Sequence, residues 1–313
     1  MPGKGSYSVD MKIGVIGPGA MGCMFAGYLK KGGQDVYLLD CLLERAKNLQ
    51  SAGIFIQGVR GDLQIKVPVT TKASEIGPVD LVLVWVKAYQ TETAMQQHAD
   101  LLDKNTLIWS AQNGLGNHAA LARVAPAEQI LGGSTTLGAN LIGEGRVHHA
   151  GEGDTYIGEL DGSISGRVKE VAATLTNAGI KVVEKTDINK VIWKKLLVNT
   201  AINALTAIMR VRNGALVEQA ALVRVMQAVV EEGVQAAESQ GINFDQADVF
   251  ALVKDVALRT GQNQSSMLQD VLAGERTEID FINGAIARLG AYPVNQTLTD
   301  LIHAIEASPG DLG

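Results

Sequence analysis

Residues 11–22, with the sequence MKIGVIGPGAMG, decide the fold of the N-terminal half of the chain. The first six are mostly apolar and predict a buried strand. Gly17, Gly19 and Gly22 then form the pattern G-x-G-x-x-G, and a helical pattern follows. The first glycine of this pattern makes a tight turn, the second lets the backbone approach a pyrophosphate, and the third lets helix and strand pack closely. The loop is therefore predicted to hold a dinucleotide at a helix N-terminus.

The segment after this helix completes the pattern. A second strand is predicted at residues 36–39 and ends at Asp40. Strand, turn, helix and strand in this order predict a right-handed βαβ unit with parallel strands. A carboxylate here accepts hydrogen bonds from the ribose hydroxyls of NAD and repels the 2′-phosphate of NADP. We therefore expect Ala20, Met21 and Asp40 to contact the nucleotide together with the three glycines. A glycine-rich turn without a ligand, and Asp40 as a cap of the next helix, are the alternatives.

Two further apolar runs, residues 80–86 (DLVLVWV) and 106–110 (TLIWS), predict strands that are covered on both faces. Lys87 and Asn113 follow them. Ligands of an open α/β sheet bind beyond the carboxyl ends of the strands, so both side chains are predicted to lie at the ligand-binding edge. A solvent-exposed lysine and a simple Asn-Gly turn are the alternatives. The glycine-rich residues 132–133 and 143–166 predict later strands and hairpins, and Val182 and Val183 predict a last strand.

The sequence changes character from Asp187 onward, where long patterns of helical period replace the glycines. Helices are predicted over residues 187–210, 216–240, 246–259 and 277–289, with Asp187 and Thr277 as N-caps. The predicted fold class is thus α/β: a Rossmann-type dinucleotide-binding domain at residues 11–185, followed by an all-helical domain at residues 186–313.

The first of these helices carries an unusual polar stripe. Lys195, Asn199 and Asn203 are spaced i, i+4 and i+8 and share one face. Asparagine is unfavourable inside helices, and residues 196–209 carry no charge, so the stripe is predicted to be partly buried and functional. A solvated helix face is the alternative. Glu278 taken alone is more typical of a first-turn residue that complements the helix dipole.

Composition excludes several classes of function. The 313 residues carry a net charge of −6 without a basic run, and aromatic residues are only 4%, so nucleic acid is not a predicted partner. No apolar run reaches the roughly 18 residues that span a bilayer. The first ten residues lack the apolar segment of a signal peptide, so none is expected. The five histidines have no metal-ligand spacing, and no metal site is predicted.

Cysteine usage favours a reducing compartment, and the protein is predicted to be cytoplasmic. Cys23 and Cys41 are the only two cysteines. Cys23 follows Gly22 near a helix N-terminus, which can activate a thiol, but a small buried residue is the favoured interpretation. The helical half could also support a homodimer.

Together these segments resemble ketopantoate reductase, also called 2-dehydropantoate 2-reductase, from about Met11 to past residue 290. The resemblance is carried by residues 17–22, 86–90 (VKAYQ), 112–116 (QNGLG), 193–199 (WKKLLVN) with Asn203, 265–270 (SSMLQD), and 276–280 (RTEID) with Asn283 and Gly284. It implies a C-terminal helical domain like that of 6-phosphogluconate dehydrogenase, with the active site in the cleft between the domains. It also implies reduction of the 2-keto group of ketopantoate to D-pantoate, usually with NADPH, on the path to pantothenate and coenzyme A.

The resemblance implies a role for each site residue. Lys195 is the general acid that protonates the carbonyl oxygen, and Glu278 binds the substrate hydroxyl and holds Lys195. The substrate's hydroxyl and carboxylate ends are bound by Asn199, Asn203 and Ser266. Lys87 and Asn113 contact the cofactor, Asn113 near the nicotinamide.

One departure from the family concerns the cofactor. The family usually places an arginine just after the second strand, where it meets the 2′-phosphate of NADP, whereas here Asp40 and Cys41 stand there. We therefore expect NAD(P) with NAD favoured. An NAD-dependent D-2-hydroxyacid dehydrogenase acting on another 2-keto acid is the alternative, and a non-catalytic NAD(H) sensor is a further one. A dehydrogenase of the 3-hydroxyacid or glycerol-phosphate type would carry different motifs in its helical domain.

Overall fold

The computed structural model describes residues 10–308, and the chain divides into two compact units. Unit 1 comprises the residues up to Gln112 and Asn117–Asn189, and unit 2 comprises Asn113–Gly116 and the residues from Lys190 onward. The sequence predicts one boundary at residues 185–186, but segment 113–116 belongs to unit 2. The reason is local, because the backbone N–H of Leu115 donates to the carbonyl of Phe281 at 2.8 Å. The expectation about a signal peptide concerns residues that lie almost wholly outside the described range, as do the last five residues of the predicted helical domain.

The elements of unit 1 are mostly strands. The strands are β1 (Lys12–Ile16), β2 (Asp35–Leu39), β3 (Ile54–Gly58), β4 (Leu63–Ile65), β5 (Val69–Thr70), β6 (Leu81–Val84), β7 (Leu107–Ser110), β8 (Ile130–Thr135), β9 (Gly138–Gly143), β10 (Arg146–Gly151), β11 (Thr155–Glu159) and β12 (Val182–Glu184). The helices are α1 (Ala20–Lys31), α2 (Leu43–Ala52), α3 (Thr91–Gln97), α4 (Asn117–Leu121) and α5 (Gly166–Asn177).

Unit 1 is built on a sheet of eight strands in the order β12-β11-β8-β7-β6-β1-β2-β5. The six strands from β8 to β5 are parallel to their neighbours, and β11 joins β8 in the antiparallel sense. Alternate residues of β6 enter different apolar clusters: Leu81 and Leu83 enter one, and Val82 and Val84 enter the other. The sheet is therefore covered on both faces, as its apolar runs predict, and the doubly wound fold is confirmed.

A second sheet, in the order β4-β3-β10-β9, packs against α1. Gly27 permits this contact, because a Cβ there would lie 2.7 Å from the side chain of Ile56. The sequence predicts hairpins in the glycine-rich region, and β9 and β10 form one. It does not predict β3 and β4, which are short and partly exposed and so lack a clear apolar run.

Unit 2 is helical. Its helices are α6 (Ile188–Met209), which begins in the last residues of unit 1, α7 (Ala215–Glu218), α8 (Ala220–Ser239), α9 (Gln246–Arg259), α10 (Ser266–Ala273), α11 (Asn283–Ala287) and α12 (Pro293–Ala307). α6 is long and apolar enough to cross a membrane by composition, but most of it is buried, as in the core helix of a soluble protein.

The predicted helices of unit 2 are confirmed in part. α6 and α9 match residues 187–210 and 246–259, whereas the predicted helix 216–240 is interrupted at Gln219, which has extended backbone angles. The prediction of one helix over residues 277–289 is wrong. A 3₁₀ turn at Ile279–Phe281 and the short α11 replace it, because Ile282 at φ −109° and ψ −95° breaks the helix between them.

Candidate active site

The glycine loop of unit 1 joins β1 to α1, and at two of its positions there is no room for a residue larger than glycine. Gly17 has φ +100°, and a Cβ there would lie 2.9 Å from the backbone of Trp85. A Cβ on Gly22 would lie 1.9 Å from the carbonyl oxygen of Gly17. Any larger residue at either position would displace the loop, so the structure confirms the tight turn and the close packing that the motif predicts.

The second glycine of the motif, Gly19, faces open space. Gly19 is the N-cap of α1, no side chain caps the helix there, and a Cβ would have no atom within 4 Å. The first turn, which begins with Ala20 and Met21, contains no acidic residue. Uncapped N–H groups at a helix N-terminus with room in front of them suit a phosphate group. The loop thus fits the pyrophosphate of a dinucleotide.

Asp40 follows β2 and is buried, with 1% of its surface exposed. Its Oδ1 accepts a hydrogen bond from the backbone N–H of Leu42 at 3.0 Å. Arg45, in the first turn of α2, contacts both carboxylate oxygens, with Nε 2.6 Å from Oδ2 and Nη2 2.5 Å from Oδ1. Leu42 is the N-cap of α2, so the alternative of Asp40 as the helix cap is wrong. Arg45 is not identified from the sequence, although it stands only five residues after Asp40.

Lys87 lies three residues beyond β6, at the start of a 3₁₀ turn, and is half-buried. Gln112, beyond β7, fixes the neighbouring backbone. Its Nε2 donates to the carbonyl of Val86 at 2.7 Å and to Oγ1 of Thr91 at 2.9 Å. The amide of Gln112 therefore ties the ends of the two strands together, a structural role that the sequence did not reveal.

The polar stripe of α6 is the main feature of unit 2. Lys195 and Asn199 are half-buried, and Asn203 is buried with 6% exposure. Among the described residues, the side chains of Asn199 and Asn203 have no hydrogen-bond partner. Amides that no other described residue holds can donate and accept hydrogen bonds, so the stripe is suited to a polar ligand.

Burial also changes the chemistry of the lysine. Desolvation lowers the pKa of Lys195 from 10.5 to about 8, and the charge of Glu278 acts in the opposite direction. The desolvation effect is the larger of the two, because it is the one that sets the direction of the shift. Lys195 is therefore an acid that can release its proton near neutral pH.

Glu278 lies just before the 3₁₀ turn at Ile279–Phe281 and is buried, with 7% exposure. Its Oε2 accepts a hydrogen bond from Nδ2 of Asn113 at 3.3 Å. The backbone of the turn is held from α12, because the N–H of Thr277 donates to the carboxylate of Glu306 at 2.7 Å. The structure thus brings Lys195, Glu278 and Asn113 together.

Ser266 is exposed and is the first residue of α10. Its neighbour Ser265 is the N-cap, with Oγ accepting from the N–H of Leu268 at 3.1 Å. The Ser265 hydroxyl also bonds to Oγ1 of Thr206 at 2.7 Å, and Thr206 follows Asn203 by three residues on α6. This link holds the start of α10 beside the end of the polar stripe. Ser265 belongs to the motif at residues 265–270, but no local pattern in the sequence reveals this structural role.

Cys23 is buried in α1, and its thiol donates to the carbonyl of Pro18 at 3.2 Å. Burial raises the pKa of Cys23 to about 12. A thiol with so high a pKa is unreactive at neutral pH, which confirms the interpretation as a small buried residue.

A doubly wound sheet with an open glycine loop, joined to a helical unit that carries a lysine of lowered pKa beside a glutamate, defines a nicotinamide-dependent oxidoreductase. Family models point to one group within this class. The model described as ketopantoate reductase PanE/ApbA matches residues 13–162, and the model of its C-terminal part matches residues 187–306. The chain belongs to the ketopantoate reductase family.

Relatives and solved structures cover nearly the whole chain. The 2-dehydropantoate 2-reductase of Archaeoglobus fulgidus is 39% identical over 303 residues, 95% of this chain and 98% of the relative. That of Halobacterium salinarum is 38% identical over 298 residues, 93% and 98%. A ternary structure of D-mandelate dehydrogenase with NADH and anilino(oxo)acetate has a TM-score of 0.89 at 30% identity, covering 95% of this chain and 98% of that one. The 2-dehydropantoate 2-reductase from Geobacter metallireducens has a TM-score of 0.87 at 29% identity, covering 93% and 99%.

Proposed function

We propose that the chain reduces the C2 ketone of ketopantoate to D-pantoate, a step towards pantothenate and coenzyme A. The observation that carries the proposal is the polar stripe of α6, with Lys195 of lowered pKa beside Glu278 and two buried or half-buried amides without partners. The relatives from Archaeoglobus fulgidus and Halobacterium salinarum, which bear the name of this activity, support it.

Lys195 is the general acid of the proposed reaction. Reduction of a ketone builds negative charge on its oxygen, and an ammonium group both stabilises that charge and supplies a proton. With a pKa of about 8, Lys195 is mostly protonated at pH 7 and still gives up its proton readily. A lysine with its ordinary pKa would be a weaker acid.

Glu278 has two parts in the proposed mechanism. Its negative charge favours the protonated form of Lys195 against the effect of burial. Its carboxylate can also accept a hydrogen bond from the hydroxyl of the substrate. Asn113 donates to one of its oxygens and so fixes the plane of the carboxylate. In this proposal Asn113 also contacts the nicotinamide side of the cofactor.

The carboxylate and hydroxyl ends of the keto acid are assigned to Asn199, Asn203 and Ser266. Amide and hydroxyl groups can donate to an anion without a large field of their own. Ser266 lies at the N-terminus of α10, where the helix dipole favours a negative group. The link from Ser265 to Thr206 supports a shared role for α10 and α6.

The cofactor is assigned to unit 1. Gly17, Gly19 and Gly22 form the loop for the pyrophosphate, Ala20 and Met21 lead the helix behind it, and Lys87 contacts the nucleotide beyond β6. A bound reduced nicotinamide supplies the hydride. We propose that NAD is favoured over NADP, because Asp40, which follows β2, places a negative charge at the edge of the sheet that binds the adenosine ribose in this class of fold.

A second candidate is a D-2-hydroxyacid dehydrogenase that uses NAD on another 2-keto acid. It is favoured by the similarity to D-mandelate dehydrogenase, whose structure contains NADH. Both candidates use the same acid and the same cofactor loop. They differ in which substituent on the keto carbon, C2, the substrate site accepts.

Initial rates with ketopantoate, measured with NADH and NADPH side by side, test the proposal. Turnover with ketopantoate at low substrate concentration supports it, and a preference for NADH supports the assignment of Asp40. Turnover with phenylglyoxylate but not ketopantoate would favour the second candidate. Binding of NADH without turnover of any 2-keto acid in a panel would leave only a sensor of NAD(H). A cytoplasmic location and a homodimer complete the proposal and are open to fractionation and ultracentrifugation.

A further inference from the structure

Asp40 and Arg45 form a charge pair where β2 ends and α2 begins. The guanidinium contacts both carboxylate oxygens, at 2.5 and 2.6 Å. The side chain of Asp40 is fully buried, whereas that of Arg45 keeps 32% of its surface exposed. The arginine is therefore the partner that a ligand at this edge of the sheet would meet first.

The pair differs from a lone carboxylate in charge and in donors. An unpaired acid at this place repels the 2′-phosphate of NADP. Here the guanidinium compensates that negative charge. A guanidinium has five N–H donors, and the pair uses the one on Nε and one on Nη2. Within residues 10–308 nothing engages Nη1, so donors remain that suit a phosphate.

We propose that Arg45 is the residue that sets how strongly this chain discriminates against a 2′-phosphate on the adenosine ribose. By compensating Asp40 and offering its remaining N–H groups, Arg45 lets the site accept NADP(H) beside the favoured NAD(H). The proposal rests on the proposed function only in that the glycine loop of unit 1 binds a nicotinamide dinucleotide.

Calorimetric titration of the full chain with 5′-AMP and adenosine 2′,5′-bisphosphate tests this proposal, because the two probes differ only in the 2′-phosphate. We expect Arg45→Gln to raise the ratio of their dissociation constants, bisphosphate over AMP, by at least tenfold. Lys47→Gln is the matched control. It removes one positive charge from the same helix at a side chain that is 60% exposed and paired with Glu44. The ratio should change less than threefold in this control.

The other partner of the pair gives a prediction of opposite sign. Asp40→Asn removes the negative charge and leaves the guanidinium of Arg45 available to bind the 2′-phosphate. The ratio of the dissociation constants, bisphosphate over AMP, should therefore fall by at least tenfold. Loss of folding cannot raise the ratio of the dissociation constants in one variant and lower it in the other. A rise below tenfold in Arg45→Gln, or an equal rise in Lys47→Gln, overturns the proposal. If Arg45→Gln does not fold, Asp40→Asn decides: a tenfold fall supports the proposal, and any smaller change overturns it.

This test is independent of turnover. A chain that reduces ketopantoate but whose ratio does not respond to Arg45 refutes the role of Arg45 and leaves the proposed function intact. A chain whose ratio responds as expected but that reduces no 2-keto acid refutes the proposed reaction and leaves the role of Arg45 intact.

Discussion

Asn113 and Glu278 are 165 positions apart in the sequence, and Nδ2 of Asn113 donates to Oε2 of Glu278 at 3.3 Å. The contact depends on the glycine that follows the asparagine. Gly114 has φ +82°, and a Cβ there would lie 2.3 Å from the carbonyl oxygen of Phe281, so the chain can approach the turn after Glu278 only with glycine at this place. The asparagine assigned to the cofactor and the carboxylate assigned to catalysis are thereby placed side by side.

Replacing Glu278 should change the pH dependence of reduction. The active acid is protonated Lys195, so kcat/KM for reduction should fall as the pH rises through about 8. Glu278→Gln removes the charge that favours the protonated form, while desolvation continues to lower the pKa of Lys195. The alkaline limb of the profile should then move to lower pH. Initial rates between pH 6 and 10 measure this shift.

The control for that profile is Glu275→Gln, which removes an exposed carboxylate three residues earlier. It should leave the alkaline limb where it is in the unmodified chain. An alkaline limb that stays in place or moves upward in Glu278→Gln would contradict the assignment of Lys195 and Glu278 as a coupled pair.

Lys195→Met should abolish most turnover without harming the fold. Loss of a general acid costs about 10²–10⁴-fold in rate. Methionine fills similar space and removes a desolvated ammonium, but it also takes a positive charge from beside the buried Glu278, so the two effects oppose each other and the free energy of unfolding at pH 7 should change by less than about 2 kcal/mol. Steady-state rates measure the loss of turnover, titration with NADH checks cofactor binding, and thermal melts measure the stability. Lys194→Met, at an exposed neighbour, should keep its turnover. Near-normal turnover in Lys195→Met would refute its role.

Local pattern was sufficient to predict much of this molecule. The glycine loop, its flanking strands and the stripe of Lys195, Asn199 and Asn203 depend on residues a few positions apart, and the periods of strands and helices expose them directly. Partial burial of the stripe also followed from the absence of charge in residues 196–209.

The remaining features depend on contacts between distant segments or on backbone angles. The hydrogen bond from Asn113 to Glu278 requires that segment 113–116 join the helical unit, which no local pattern signals. The predicted helix over residues 277–289 has the right apolar period, but the backbone at Ile282 interrupts it. The prediction of Thr277 as an N-cap is also wrong, because Glu278 holds the N-cap position of the 3₁₀ turn, and the Thr277 hydroxyl only accepts the N–H of Ile279 at 3.2 Å.

The open space before Gly19 gives a test of the cofactor loop. Gly19→Ala puts a methyl group where nothing lies within 4 Å, at φ −73° and ψ −172°, which alanine adopts freely. Stability should change by less than about 1 kcal/mol. The affinity for NADH should fall at least tenfold, because the methyl group occupies the space assigned to the pyrophosphate. Quenching of tryptophan fluorescence by NADH measures this affinity.

Two matched variants show whether a loss of NADH affinity is specific to the Gly19 position. Gly166→Ala, also at a helix start with no atom within 4 Å, should leave the affinity for NADH unchanged. Gly22→Ala should instead lower the stability, because its Cβ would lie 1.9 Å from the carbonyl oxygen of Gly17. Unchanged NADH affinity in Gly19→Ala would exclude this loop as the pyrophosphate site.

The adjacent serines at the start of α10 separate stability from substrate binding. Ser265→Ala removes the N-cap and leaves the buried hydroxyl of Thr206 without this partner, so the free energy of unfolding should fall by about 1–2 kcal/mol. Ser266→Ala changes an exposed first residue of the helix and should leave the stability unaltered. Because Ser266 is assigned to the substrate, its loss should raise KM for ketopantoate about tenfold with a smaller effect on kcat. Urea denaturation and steady-state kinetics on both variants measure the two effects, and an unchanged KM in Ser266→Ala would remove this serine from the substrate site.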